Sequence, residues 1–233
     1  MTLVLLHGFM DSPVTWDLVR PHLGDDVLAP ALPLDDPAAV VDRLEEMLDG
    51  AGVETAHLAG NSLGGYLALR LAERGRGRSV VALAPAGGWA TAQEPADVLA
   101  LQRRIHRSLQ HVVPEQAVAT AQGRRVAMRY MTVRWEHIPP ELIAAQLRAA
   151  AATDVEPLIA NALANGWPLD PARVTCPVRF VWGTADELLP WPTAATRYRA
   201  WFPTADWVVL DDVGHAPQLD VPLETAELIR GFG

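Results

Sequence analysis

Six short apolar runs separated by stretches of helical periodicity constrain the fold of this chain more than any other feature. They fall at residues 3–6, 27–29, 57–60, 80–83, 178–182 and 207–210. Runs this short, rich in Val and Leu and apolar at consecutive positions, suit strands that helices cover on both faces. Between the runs the spacing becomes helical. Residues 37–48 carry Val40, Val41, Leu44, Met47 and Leu48 on one stripe, with Asp35 or Asp36 as the expected N-cap. Residues 62–73 and 223–229 read the same way. Strands alternating with helices build an α/β fold around an open, mostly parallel sheet, whose ligand sites lie beyond the carboxyl ends of the strands.

The alternation stops between Gly87-Gly88 and Trp167-Pro168, where the chain is helical in pattern and rich in Ala and Arg. Charge changes at the same places: the insertion carries eight Arg against seven acids, while the rest holds a net −10 of the chain's −9. The expected organisation is a core made of residues 1–87 and 169–233, with a helical lid at 88–168. A chain of 233 residues, half of them apolar, is long enough for one sizeable core and that insertion. Its acidic balance argues against nucleic acid and anionic lipid as partners. All 19 Lys+Arg residues are Arg, so Schiff-base chemistry and a phosphate-binding P-loop lysine are excluded. Cys176, the single cysteine, allows no intrachain disulfide or cysteine redox pair, which fits a reducing compartment. The apolar run at 3–6 is too short for a signal peptide, and no run approaches the roughly 20 residues of a membrane span. The expected location is cytoplasmic.

Chemistry concentrates at four places. Gly60-Asn61-Ser62-Leu63-Gly64 follows one strand and opens a helix, the setting of a nucleophile elbow, in which flanking glycines let a serine sit on a sharp, strained turn. The Leu63 N–H then lies at a helix N-terminus, where it can hold an oxyanion. His7-Gly8-Phe9 follows the first strand, and the Phe9 N–H is the expected second donor; His7 itself reads as a turn residue bonding local backbone. A serine hydroxyl needs a base, and His215 stands between the last strand and the last helix. The base needs an orienting carboxylate, for which Asp186 in Gly-Thr-Ala-Asp-Glu is preferred over Glu187, Asp211 and Asp212. No histidine spacing suggests a metal site.

Together these segments resemble the α/β-hydrolase superfamily with a helical lid, over essentially the whole chain. The resemblance implies a Ser62–Asp186–His215 triad, an oxyanion hole from Phe9 and Leu63, an acyl-enzyme and no cofactor. It also implies a small-molecule ester or acyl substrate, with oligomeric state left open. The chain starts at the strand before the oxyanion loop, so the family's N-terminal antiparallel strands are expected to be missing. Other members fit less well. Asn61 is similar to the carbon-carbon bond hydrolases, but Ala216 replaces their aromatic residue after the histidine. Tyr66 stands where the related lyases of menaquinone synthesis carry arginine, and Ser62 excludes the haloalkane dehalogenases. A lyase, a perhydrolase or a non-catalytic receptor on the same fold are the alternatives to an esterase. Trp89, Met128, Trp135 and Trp167, with Tyr130 and Met131, are the expected pocket walls, unless they only pack the lid on the sheet. Arg124, Arg125 and Arg129 are candidate partners for a substrate carboxylate.

Overall fold

Six parallel strands form the central sheet of the computed structural model, which describes residues 2–91 and 93–232. They are β1 (Leu3–Leu6), β2 (Val27–Leu28), β3 (Ala56–Asn61), β4 (Gly77–Leu83), β5 (Val178–Gly183) and β6 (Asp206–Leu210), each at one of the apolar runs. Their order is β2-β1-β3-β4-β5-β6. The sheet holds no antiparallel strand among the described residues.

The consecutive apolar residues are explained by burial on both faces. Leu3 and Leu5 pack with Trp16, Val19, Ala226 and Ile229, whereas Val4 and Leu6 pack with Leu44, Leu67 and Leu71. Because neighbouring side chains of a strand point to opposite faces, a run with water on neither side is apolar throughout. The second set belongs to α1 (Val40–Gly50) and α2 (Leu63–Glu73), and α10 (Pro222–Arg230) closes the first face. Leu67 and Leu71 are fully buried, each contributing about 1.5–3 kcal/mol by its removal from water.

One expectation fails at α1. The helix begins at Val40, with Ala39 at the N-cap position and no capping side chain, so neither Asp35 nor Asp36 caps it. Asp36 accepts from the Ala38 N–H at 3.2 Å and Asp35 pairs with Arg43. An aspartate this far ahead of the first turn closes a local turn of its own.

Between β4 and β5 the chain forms α3 (Gln93–Leu109), α4 (Pro114–Val118), α5 (Ala121–Met128), α6 (Pro140–Ala152) and α7 (Glu156–Asn165). Two short helices complete the fold, α8 (Thr196–Trp201) before β6 and α9 (Pro217–Asp220) after it. The strand order reverses at β1: the chain leaves β1 towards β2 on one side and returns to β3 on the other. Loops leaving the carboxyl ends of β1 and β3 therefore diverge and open a crevice, which is where an open α/β sheet binds its ligand. The Phe9 loop follows β1, and Ser62 follows β3.

Candidate active site

Backbone conformation marks the carboxyl edge of the sheet. Non-glycine residues with positive φ among the described residues are Met10, Ser62, Ala84 and Asp212, and each lies in a loop leaving a strand. Such strain collects where surrounding structure over-determines it, commonly at functional sites. At Ser62 φ is 55° and ψ −116°. The turn is held by three backbone bonds: its N–H donates to the Leu83 carbonyl at 2.9 Å, and its carbonyl accepts from Ala86 at 3.0 Å and Tyr66 at 3.1 Å. Glycine is required beside it, because a Cβ on Gly64 would collide with the Leu6 carbonyl and one on Gly60 with the Gly64 carbonyl. Neither the Phe9 nor the Leu63 amide is used in a hydrogen bond among the described residues.

His215 and Asp186 meet at the same edge. The imidazole Nδ1 lies 2.8 Å from Asp186 Oδ2, with both side chains almost fully removed from solvent. The other carboxylate oxygen, Oδ1, accepts from the Leu188 and Leu189 amides at 2.9 and 2.7 Å. Those donors lock the carboxylate so that Oδ2 faces the ring and keeps the proton on Nδ1. The remaining nitrogen, Nε2, is buried and has no hydrogen-bond partner, so the Ser62 hydroxyl is not bonded to His215 in this structure and the lone pair on Nε2 is unspent. Rival carboxylates lie elsewhere: Glu187 and Asp212 are exposed, 3.8 Å from Arg129 and Arg134, and Asp211 accepts from the Thr184 hydroxyl.

Two clefts flank Phe9. The first, lined by Ser62, Leu63, Trp89, Leu99, Leu158 and Trp167, is almost wholly apolar. Trp167 packs against Trp89 at 5.4 Å between ring centroids, and edge-on against Tyr66 at 5.0 Å. Tyr66 donates to the Pro168 carbonyl at 2.8 Å, so the residue standing in the place of an arginine ties α2 to the chain that follows α7. The second cleft, about 120 Å³, takes Met128, Tyr130 and Met131 into its walls and shares Phe9 and Gln102 with the first. Trp135 reaches neither: it lines a separate outer cavity with Arg125 and Arg129, and Arg124 stacks on its ring. None of the three arginines lines either cleft beside Phe9.

Residues 3–228 match the model of the alpha/beta hydrolase family. The chain belongs to that family. It is 30% identical to the pimeloyl-[acyl-carrier protein] methyl ester esterase of Aromatoleum aromaticum over 257 aligned positions, covering 98% of this chain and 96% of that protein. It is 29% identical to the epoxide hydrolase EphH of Mycobacterium tuberculosis over 201 positions, covering 84% and 94%. Among solved structures, a bacterial membrane phospholipase A has a TM-score of 0.74 at 24% identity, covering 99% of this chain and 77% of that one. For carboxylesterase CesB of Bacillus subtilis the TM-score is 0.69 at 20% identity, with 99% and 82% covered. Both likenesses speak to the fold alone.

This alpha/beta hydrolase ties its site loops together with buried polar residues that no local pattern singles out. Asn61 Nδ2 donates to the His215 carbonyl at 2.9 Å and the Leu83 carbonyl at 3.1 Å, so the neighbour of Ser62 holds the loop carrying the imidazole. Gln218 Nε2 donates to Asn61 Oδ1 and Thr15 Oγ1, both at 3.1 Å. Asp220 accepts from Gly214 at 2.6 Å, Arg134 at 2.7 Å and Val133 at 2.9 Å, fastening the His215 loop to the chain beyond α5. For Gln218 and Asp220 the one sequence signal is an amide or carboxylate set among apolar neighbours, whereas Asn61 stands inside the elbow motif. Among the described residues no helix is long and apolar enough to cross a membrane, and no group of three His, Cys, Asp or Glu could hold a metal ion.

Two more titratable groups sit beside the site. Asp11 Oδ1 accepts from the Ser12 N–H at 2.8 Å and Gln146 Nε2 at 3.4 Å. Burial pushes its carboxyl up to about 6, against the opposing pull of the Ser12 N–H, the Thr15 hydroxyl, Gln146 and His215. His7 spends both nitrogens, Nδ1 donating to the Gly8 carbonyl at 2.8 Å and Nε2 accepting from the Leu32 N–H at 3.1 Å. It is thus the backbone-bonding residue read from the sequence. Burial lowers its pKa from 6.5 to about 4, opposed by the Gly8 carbonyl. A depressed folded-state value gives a contribution to stability that is complete above pH 6.5 and lost as pH falls through about 4, worth about 3 kcal/mol. Asp11 acts in the opposite sense, its contribution being complete below its ordinary value and lost as pH rises through about 6. The two offset each other in the whole-protein stability curve, so the expected result is read at the ring. By NMR the His7 imidazole stays neutral at pH 5.5 and titrates near pH 4, whereas a midpoint at 6.5 contradicts its burial and bonding.

Proposed function

We propose that this alpha/beta hydrolase is a serine hydrolase cleaving a carboxylic ester, with Ser62 as nucleophile, His215 as general base and acid, and Asp186 orienting the imidazole. The observation that carries the reading is the unspent, buried His215 Nε2, backed by an Asp186 carboxylate with its orientation fixed, at the sheet edge where a strained serine opens α2. As Ser62 Oγ attacks the carbonyl carbon, its proton passes to Nε2 and the negative charge develops on the carbonyl oxygen. In this reading the Phe9 and Leu63 amides, neither of which is used in a hydrogen bond among the described residues, receive that charge, a type of contact worth roughly a hundredfold or more in rate per donor. Collapse expels the alcohol, which takes the proton from His215, and leaves an acyl-Ser62. Water, deprotonated by the same Nε2, then releases the acid and the free serine. The segment 88–168 acts as a lid over these steps, its Trp89 and Trp167 walling the cleft at Ser62.

Homology to a methyl ester esterase over nearly the full length of both chains supports an ester as substrate. The epoxide hydrolase relative is a weaker guide to the reaction. A carboxylate that opens an epoxide forms an ester that water can cleave, whereas Ser62 would form an ether that it cannot. The test is a fluorophosphonate probe followed by peptide mass spectrometry, alongside a chain-length series of para-nitrophenyl esters with product analysis. Labelling of the peptide carrying Ser62 together with release of acid and alcohol is expected. Labelling elsewhere, or labelling of Ser62 without turnover of any ester, would leave a lyase, a carbon-carbon bond hydrolase, a perhydrolase or a receptor in its place.

A further inference from the structure

The two clefts beside Phe9 stand in different relations to the reaction. Met131, in the wall of the second, accepts from the Ala216 N–H at 2.8 Å, so that cleft lies on the side of the loop carrying His215. An alcohol leaving the tetrahedral intermediate takes its proton from His215, and so its oxygen must face that loop. The alkoxy arm of an ester therefore belongs in the second cleft and the acyl arm in the first, which Ser62 and Leu63 line. The two differ in size. The second holds about 120 Å³, whereas the first holds about 20 Å³, room for a group about the size of a water or a methyl.

The first cleft is short because of what closes it. Behind it, between α1, α2 and α7, lies a further cavity of about 260 Å³ with Val40, Val41, Leu67 and Ala162 in its walls. Leu63, Leu158 and Trp167 line both spaces, and the Trp167 indole is the largest side chain of the three. We propose that Trp167 is the end wall of the acyl cleft and restricts this protein to esters of short, acetyl-sized acids, the longer arm being the alcohol. The inference rests on the ester reading above, to which it adds the length of each arm. The indole N–H is buried without a hydrogen-bond partner, and the ring is held by packing against Tyr66 and Trp89. Truncating it thus breaks no hydrogen bond and joins the cleft at Ser62 to the cavity behind it.

The experiment compares octyl acetate with methyl nonanoate, isomers that carry the ester in opposite directions, as substrates of the whole protein and of Trp167→Ala. The wild type is expected to hydrolyse octyl acetate with a kcat/KM at least tenfold higher, since one surplus methylene in a closed apolar pocket is worth roughly 10–200-fold. Trp167→Ala is expected to shrink that ratio at least fivefold, while the ratio of octyl to ethyl acetate, which reads the second cleft, changes less than twofold. An indole that only packs would lower the rates on all three esters together and leave both ratios alone. Equal rates on the two isomers in the wild type, a preference for methyl nonanoate, or an isomer ratio that survives Trp167→Ala overturns the end wall. If circular dichroism shows Trp167→Ala unfolded, Trp167→Leu replaces it, with at least a threefold shift of the isomer ratio expected and an unchanged ratio counting against the end wall. Titration calorimetry with sodium nonanoate needs no turnover, and Trp167→Ala is expected to bind it at least tenfold more tightly than the wild type. A protein that gains this affinity but hydrolyses no ester keeps the end wall and loses the ester reading, and an active esterase whose isomer preference Trp167→Ala leaves untouched does the reverse.

Discussion

Replacing Ser62 by alanine is expected to lower kcat/KM for any ester the protein hydrolyses by about 10⁴-fold or more, with the fold unchanged. The loss is this large because, among the described residues, no other hydroxyl lines the cleft walled by Trp89 and Trp167 where α2 begins. The residue that remains would still bind substrate and could still hold an oxyanion, so some acceleration over water survives. The stability consequence is separate and testable in the same variant. Alanine keeps a Cβ at φ 55°, so Ser62→Ala retains the backbone strain and its unfolding midpoint should stay close to that of the wild type. Ser62→Gly removes the Cβ and should be the more stable of the two by about 1 kcal/mol, less the entropy glycine loses on folding. Activity in Ser62→Ala within tenfold of wild type, with product identity unchanged, would remove the nucleophile assignment.

How much of this was legible in the sequence depended on the range over which each feature is encoded. A strand buried on both faces is written in its own few residues, so all six apolar runs reappear in the sheet, and the elbow is recognisable because Gly60 and Gly64 are demanded by atoms a few residues away or on the adjoining strand. The start of α1 was less legible. Asp35 and Asp36 look like caps, but their carboxylates are drawn off by Arg43 and by the Ala38 amide. Trp135 and Trp167 illustrate a different limit. Both are tryptophans in or beside the helical segment, yet Trp167 meets Tyr66 edge-on and lines the cleft at Ser62, while Trp135 lines the outer cavity, a difference set by how α5 and the chain after it fold back. Least legible were Asn61, Gln218, Asp220 and Asp11. Asn61 reaches the His215 carbonyl across 154 residues and Gln146 reaches Asp11 across 135, separations at which no periodicity or turn rule operates.

Asp186→Asn is expected to cost about 10⁴-fold in kcat while leaving the fold and substrate affinity nearly intact, and the geometry says why an isosteric change should be so damaging. The carboxylate is held from both ends. Oδ1 faces two N–H donors, those of Leu188 and Leu189, so in the asparagine variant that position must be the amide oxygen. The amide nitrogen then takes the place of Oδ2 and points its protons at His215 Nδ1, 2.8 Å away in the wild type. Two donors cannot face each other, so the imidazole moves its proton to Nε2 and Nδ1 becomes the acceptor. The nitrogen that should take the serine proton is thereby already protonated. No such inversion can follow from the neighbouring carboxylate. Glu187 is exposed and stands 3.8 Å from Arg129, so Glu187→Gln should leave kcat within twofold. Steady-state kinetics on the pair, with ¹⁵N NMR of the imidazole to read the tautomer, separates orientation from simple loss of charge. A mild effect of Asp186→Asn, or equal effects of the two substitutions, would mean that Asp186 does not set the tautomer of His215.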